Sequence, residues 1–149
     1  MMPRYGKPAE AGRRYRARPG AYGLLVRDGQ VLLTLQTRPL PDMQLPGGGI
    51  DPGESPIAAL HREVLEETGW TIAAPRRIGA YRRFAWLPDY GYWAEKICTI
   101  WMARPVRRKG PPSEPDHLAV WLPVEDLHDV LTDPGSKALL TRWLGSRQQ

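Results

Sequence analysis

The stretch Gly47-Gly48-Gly49-Ile50-Asp51-Pro52-Gly53-Glu54-Ser55-Pro56-Ile57-Ala58-Ala59-Leu60-His61-Arg62-Glu63-Val64-Leu65-Glu66-Glu67-Thr68-Gly69-Trp70 organises the chain. Ser55 is placed as an N-cap, Pro56 takes the first helical position where a missing N–H costs nothing, and Gly69 closes the same segment. These signals predict a helix over Pro56 to Thr68. The three glycines ahead of it let backbone approach a ligand closely and can aim a carbonyl at a cation. On a helical wheel Ala59, Glu66 and Glu67 fall within roughly 60° of Glu63, with Ile57, Leu60, Val64 and Thr68 on the adjoining arc. One arc is expected to pack on a sheet while the other presents three carboxylates.

Unpaired, carboxylates spaced three and four residues apart on a helix repel by about 0.2–0.5 kcal/mol per pair. A hard divalent cation, Mg²⁺ or Mn²⁺, turns that repulsion into coordination. An isolated Glu-Glu pair on a helix is ordinarily a solvated surface feature; here the glycine loop, Glu54 and Arg62 recur with it in one pattern. Arg62 also precedes Glu66 by four residues, a spacing at which a guanidinium fixes the orientation of a carboxylate.

The segment from Gly48 through Glu54 to Arg62-Glu63-Val64-Leu65-Glu66-Glu67-Thr68-Gly69-Trp70 resembles the Nudix box. The resemblance implies an α/β fold, a Nudix-like α/β/α sandwich with a mixed β-sheet. It implies metal binding by Glu63, Glu66 and Glu67, with the Gly48 backbone carbonyl as a further ligand and Mg²⁺ or Mn²⁺ as the cofactor. Glu54 falls on a supporting or water-mediated acid, and Arg62 on the arginine that orients a glutamate. Related enzymes often carry another acid where this chain has the loop from Gly110 to His117, making Glu114 a candidate base or extra ligand with Asp116 in reserve; the alternative is a solvated loop residue. The implied reaction is hydrolysis of a nucleoside diphosphate linked to another group. The residues themselves support only metal-assisted chemistry on an anionic ligand.

Substrate choice lies outside the box. The proline found about fifteen residues beyond it in many ADP-ribose-hydrolysing relatives is absent, the neighbourhood reading Phe84-Ala85-Trp86, and the coenzyme A- and NADH-associated patterns are missing too. Pro46-Gly47-Gly48 differs from the Pro-Gln-Gly of RNA 5′-pyrophosphohydrolase relatives, although Arg18-Pro19 and Gly49-Ile50-Asp51 keep that reading open. The expected partner is a nucleotide or nucleotide-derivative substrate, with RNA a further candidate and a homodimer compatible. A metal-dependent binding module without turnover is the non-enzymatic alternative.

The rest of the chain supplies the frame. Its 149 residues, 42% hydrophobic, suit one domain with a single core. No apolar run approaches the roughly 18 residues of a membrane span, and the basic start lacks the apolar stretch of a secretory signal, so a cytoplasmic protein is expected. Cys98 is the only cysteine and reads as a strand residue. The net charge of +5 concentrates at Arg4 to Arg18 and at Arg104 to Lys109; either cluster can attract a polyphosphate, or simply be solvated. Residues 1–16 are expected as a basic, flexible or loosely docked arm and 17–149 as the Nudix domain, with folding under way near Pro19.

Apolar segments Ala21 to Val26 and Gln30 to Thr37 flank Asp28-Gly29, which predicts a β-hairpin. Strands are expected over Ile78 to Trp86, Ala94 to Ala103 and Leu118 to Leu122, a helical turn near Val124 to Leu127, and a packed helix over Ser136 to Leu144. Tyr81, Phe84, Trp86, Tyr90, Tyr92 and Trp93 offer either a stacking platform for a nucleobase or ordinary packing. His61 points away from Glu63 on the wheel, and His117 is expected to be structural or solvated.

Overall fold

The computed structural model describes residues 2–147. Met1 and residues 148–149, which end the two expected segments, lie outside the described residues. Seven strands form one mixed sheet: β1 (Arg16–Arg27), β2 (Gln30–Gln36), β3 (Asp42–Gln44), β4 (Gly47–Gly49), β5 (Trp70–Leu87), β6 (Tyr92–Arg108) and β7 (His117–Pro123). The main path runs β3-β2-β1-β6-β5, with β4 joined to β1 and β7 to β2. The parallel pairing of β1 with β6 makes the sheet mixed. Three helices flank it: α1 (Pro56–Thr68), the short α2 (Leu127–Val130) after a 3₁₀ turn at Val124–Asp126, and α3 (Pro134–Arg147).

The layer order follows from the central strands. Adjacent residues of a strand point to opposite faces, so a strand covered on both sides must be apolar without alternation. Leu24 and Leu25 are both fully buried, yet Leu24 joins the cluster beneath α2 and α3 while Leu25 joins the one beneath α1. Val31 and Leu33 against Leu32 repeat that division on β2. Leu60 and Val64 of α1 close the second cluster, whereas Leu127, Leu131, Leu139 and Leu140 close the first. This is the expected α/β/α sandwich. No described helix is long and apolar enough to cross a membrane.

The hairpin turns where expected, with Val26 opposite Val31 and positive φ at both Asp28 (52°) and Gly29 (77°), as a tight reversal of right-twisted strands requires. Other boundaries differ. The second half of the sheet is longer than the apolar runs suggested: β5 begins at Trp70, and β6 continues to Arg108, so Arg104, Arg107 and Arg108 belong to a strand end and not to a loop. Register shifts between Ala73 and Arg76 let β5 pass Pro75, which cannot donate to the ladder. Asp42–Gln44 and the glycine run, read as loop, pair as β3 and β4. Ile57, placed on the packed arc of α1, is 42% exposed because that arc has turned past the sheet at the first helical turn.

The N-terminal stretch lies along the free edge of β5. Tyr5 donates its amide to Arg82, Arg82 donates its amide to Pro3, and the Tyr5 ring meets Tyr81 edge-on at 5.8 Å. Tyr15 packs on Phe84 at 4.7 Å, and the Arg13 guanidinium sits 3.8 Å over the Trp93 ring. Aromatic residues on both partners give this edge something to bury, which composition alone did not reveal.

Candidate active site

The helix carrying the glutamates is fixed at both ends by local chemistry. The Ser55 hydroxyl accepts from the Ala58 amide at 3.1 Å, and Gly69, at φ 78°, donates to the Leu65 carbonyl. Both caps match the sequence reading, so Glu63, Glu66 and Glu67 take the positions the wheel assigned.

Arg62 is the hub. Its guanidinium donates to both carboxylate oxygens of Glu54, at 2.8 and 2.9 Å, and to Glu63 at 2.9 Å. It also reaches the Gly49 carbonyl at 3.1 Å and Glu66 at 3.4 Å. The spacing had singled out Glu66 as its partner; Glu54 and Glu63 are closer. These hydrogen bonds hold the Glu54 carboxyl down to about 2, well below the usual range. Glu54 therefore ties the loop after β4 to α1 through Arg62, while its own Oε1 accepts from the Asp51 amide.

Glu67 is the buried member, 7% exposed, and its Oε1 accepts from the Gly47 amide at 2.9 Å. Burial pushes its carboxyl up to about 8, the Gly47 hydrogen bond opposing this and the charges of Glu63, Glu114 and Glu66 adding to it. Burial also raises Glu63, against the pull of Arg62. Gly48 lies directly on Glu63: a Cβ there would stand 2.6 Å from its carboxyl carbon and 2.7 and 2.8 Å from its oxygens. Any side chain at Gly48 would displace the carboxylate, so this glycine is needed for close approach.

His117 proves to be part of this neighbourhood. Its Nδ1 lies 2.8 Å from the buried Thr34 hydroxyl and 3.7 Å from Glu67 Oε2, and burial lowers the imidazole toward its neutral form. Position alone could not reveal this, because the contact depends on β7 pairing with β2 and placing His117 opposite Gln36. His61 is exposed on α1, away from the cluster.

The loop bearing Glu114 returns to α1. Ser113 and Glu114 both donate their amides to the Glu66 carbonyl at 2.9 Å, and Lys109 donates to the Gly69 carbonyl at 2.7 Å. The charge of Glu114 is felt at both Glu63 and Glu67. Asp116 is turned to Arg38, 3.8 Å away, and its carbonyl accepts from Thr37.

The donor set is chemically suited to a hard divalent cation: carboxylates on one helix face, a glycine backbone against Glu63, and no thiolate. Two of these carboxylates are raised by burial, so a cation among them would offset an existing electrostatic cost. Among the described residues no group of three or more Asp, Glu, His or Cys side chains converges closely enough to hold a metal ion as the side chains stand. Arg62 spans Glu63 and Glu66 instead, leaving an open arrangement.

Between the sheet and the start of α3, on the α2–α3 side, lies a cavity of about 430 Å³ whose lining includes Gly47 but none of the α1 glutamates. Gly47 and Tyr22 line it and connect it to Glu67, while Tyr81, Arg83, Lys96 and Asp133 form its far wall. Asp133 accepts from Tyr81, from the Ser136 amide at 3.0 Å and from Arg83 at 3.0 Å, capping α3. Of the six aromatics considered as a platform, only Tyr81 lines this cavity. Trp86 packs on Trp93 and Tyr90 on Tyr92 along the β5–β6 hairpin. The Asp133-Pro134 cap signal was present in the sequence but carried no indication of a cavity.

Residues 15–144 match the model of the NUDIX domain. The chain belongs to the Nudix family. Two similar curated proteins are a putative 8-oxo-dGTP diphosphatase of Bacillus subtilis (strain 168), 42% identical over 64 residues, and an 8-oxo-(d)GTP phosphatase of Mycolicibacterium smegmatis, 33% identical over 103 residues. Those stretches cover 43% and 69% of this chain but only 43% and 30% of the relatives. This Nudix chain therefore spans less than half the length of either. A MutT NUDIX hydrolase structure from Burkholderia pseudomallei superposes with a TM-score of 0.68 at 25% identity, over 85% of this chain and 97% of the other.

Proposed function

We propose that this chain is a divalent-cation-dependent hydrolase that cleaves a phosphoanhydride bond in a nucleotide or nucleotide derivative. The observation that carries the reading is the placement of Glu63 and Glu67 against the Gly47–Gly48 backbone, Gly47 itself also lining the 430 Å³ cavity. A cavity of that size accommodates a nucleoside, and an attached phosphate chain passing Gly47 would reach the carboxylates of α1.

Glu63, Glu66, Glu67 and the Gly48 carbonyl would hold Mg²⁺ or Mn²⁺, which supplies polarisation of phosphate oxygens and acidification of bound water. Arg62 fixes the orientation of Glu63 and keeps Glu54 ionised. Glu114, on the loop anchored to the Glu66 carbonyl, is our candidate for accepting the proton of the attacking water. Lys96 and Arg83 at the cavity wall add positive charge facing an anionic ligand.

The names of the two relatives favour an oxidised purine nucleoside triphosphate as the finer substrate. An RNA 5′ end is the second reading, favoured by a 26-residue stretch 69% identical to an RNA pyrophosphohydrolase of Helicobacter pylori (strain G27). The test is turnover with Mg²⁺ or Mn²⁺ on a panel of nucleoside triphosphates, 8-oxo-dGTP, ADP-ribose and 5′-triphosphate RNA, with products identified. Glu67→Gln keeps an oxygen for the Gly47 amide but removes the charge, so turnover is expected to fall by about a hundredfold or more with the circular dichroism spectrum kept. A folded Glu67→Gln protein with unchanged kcat rejects the site. Binding without turnover by the wild type across the panel rejects hydrolysis.

A further inference from the structure

Beyond the cavity, the same face of the sheet continues as a strip that the proposed hydrolysis of a mononucleotide does not use. Alternation along β1 puts Arg16, Arg18 and Gly20 on the side of Tyr22, which lines the cavity. Arg18 is paired in register with Lys96, another cavity residue. Along this strip cations and rings meet in succession: Lys96 lies 5.8 Å from the Tyr22 ring, Arg18 4.6 Å over Tyr90, and Arg16 4.7 Å over Tyr92. Arg18 also donates to the Tyr90 hydroxyl at 3.0 Å.

Two features suit this strip to an anionic ligand that carries planar groups. No carboxylate among the described residues forms an ion pair with Arg16, Arg18 or Lys96, so their charge is uncompensated. Tyr90, moreover, is 58% exposed, leaving ring surface open beside a cation. The strip also starts at β4, the strand against which Glu63 and Glu67 lie: a Cβ on Gly49 would stand 2.5 Å from an Arg18 guanidinium nitrogen. Arg16 and Arg18 are about 6.6 Å apart along the strand, the scale of one nucleotide unit in an extended single strand.

We propose that Arg18–Tyr90 and Arg16–Tyr92 form an extended subsite for a single-stranded oligonucleotide whose 5′ end occupies the cavity. Phosphates meet the uncompensated guanidinium groups, and bases stack on the exposed tyrosine surface. This deepens the reading of the cavity as a nucleotide site and rests on it. An acidic peptide would share the charge complementarity but would have no planar bases to place on the rings.

The probe is a fluorescent octamer with a 5′-hydroxyl, as oligo(U) and oligo(dT), titrated by anisotropy against the full chain; it has no phosphoanhydride, so its binding is read independently of turnover. Tyr90→Leu is expected to weaken octamer binding by about tenfold. Arg16→Ala is expected to flatten the dependence of log affinity on log salt by about one unit of slope. Weakening for either octamer supports the subsite, and the octamer that weakens more identifies the sugar it prefers. Unchanged octamer affinity in both variants, with folds verified by circular dichroism, overturns it, as does an equal loss of poly-glutamate binding in Tyr90→Leu. Octamer effects as expected with no wild-type turnover across the mononucleotide panel would uphold the subsite and count against the hydrolytic reading alone.

Discussion

Arg62 spreads one guanidinium over Glu54, Glu63, Glu66 and the Gly49 carbonyl, a geometry that an ammonium group cannot reproduce. Arg62→Lys is therefore expected to lower kcat by about 10- to 100-fold and to raise the Mg²⁺ concentration needed for half-maximal rate; a metal titration of turnover measures both. An unchanged metal requirement would make Arg62 a tether for Glu54 alone. At the far end of the cavity, burial pushes the Asp133 carboxyl up, but hydrogen bonds from Tyr81 and Ser136 and the charge of Arg83 outweigh it and leave the group below its usual range. A depressed carboxyl contributes stability above the unfolded-state pKa and loses it as pH falls through the folded one. Asp133→Asn should thus lower Tm by roughly 3–5 °C near neutral pH, and the gap from wild type should narrow as the pH falls below the ordinary aspartate range. A gap independent of pH would show that the cap's shape, not its charge, matters.

Among the elements, α1 was the most legible because its limits depend on neighbours in sequence: Ser55, Pro56 and Gly69 act within a turn of themselves. The loop at Gly110 was not legible in that way, since its position depends on where β6 ends. Gly69 joins the two: a Cβ there would stand 1.9 Å from the Gly110 carbonyl, in a left-handed backbone. Gly69→Ala should destabilise by at least about 2 kcal/mol, combining the left-handed penalty with the collision. Chemical denaturation gives that number, and activity should fall with it if the Glu114 loop is pushed off the Glu66 carbonyl. β5 shows the opposite limit of sequence reading. Pro75 and the arginines at 76 and 77 obscure any apolar alternation in its first half, yet pairing with β6 makes it a strand, with register shifts absorbing the proline. Glu63 and Glu67 were legible as a pair, whereas the contact of Glu67 with His117 required a pairing of β2 with β7 that no local signal encodes.

For the molecule as a whole, the N-terminal stretch, expected as a flexible or loosely docked arm, makes specific contacts: Tyr5 covers Tyr81, and Tyr15 and Arg13 cover Phe84 and Trp93. Deletion of residues 2–14 leaves β1 intact and uncovers the β5 edge. The expected outcome is a Tm lower by roughly 3 °C or more and greater self-association at low salt, measured by thermal unfolding and sedimentation; an unchanged Tm would return the segment to the status of a solvated arm.

The parallel pairing at the centre of the sheet also sets the order in which this protein can be assembled during synthesis. Thr99 donates to the Gly20 carbonyl across 79 residues, so β1 has no partner on that side until β6 has left the ribosome. α1 emerges well before then, yet the sheet it covers is still incomplete, and β2 waits longer for β7. Closing such distant pairs costs chain entropy before it returns any burial, which places refolding in the range of about milliseconds to seconds. A fragment ending at Gly91 should show no cooperative unfolding transition although it contains the whole glutamate helix. Stopped-flow refolding of the full chain, followed by the tryptophans of β5 and β6, should report a single slow phase in which both halves of the sheet gain structure together.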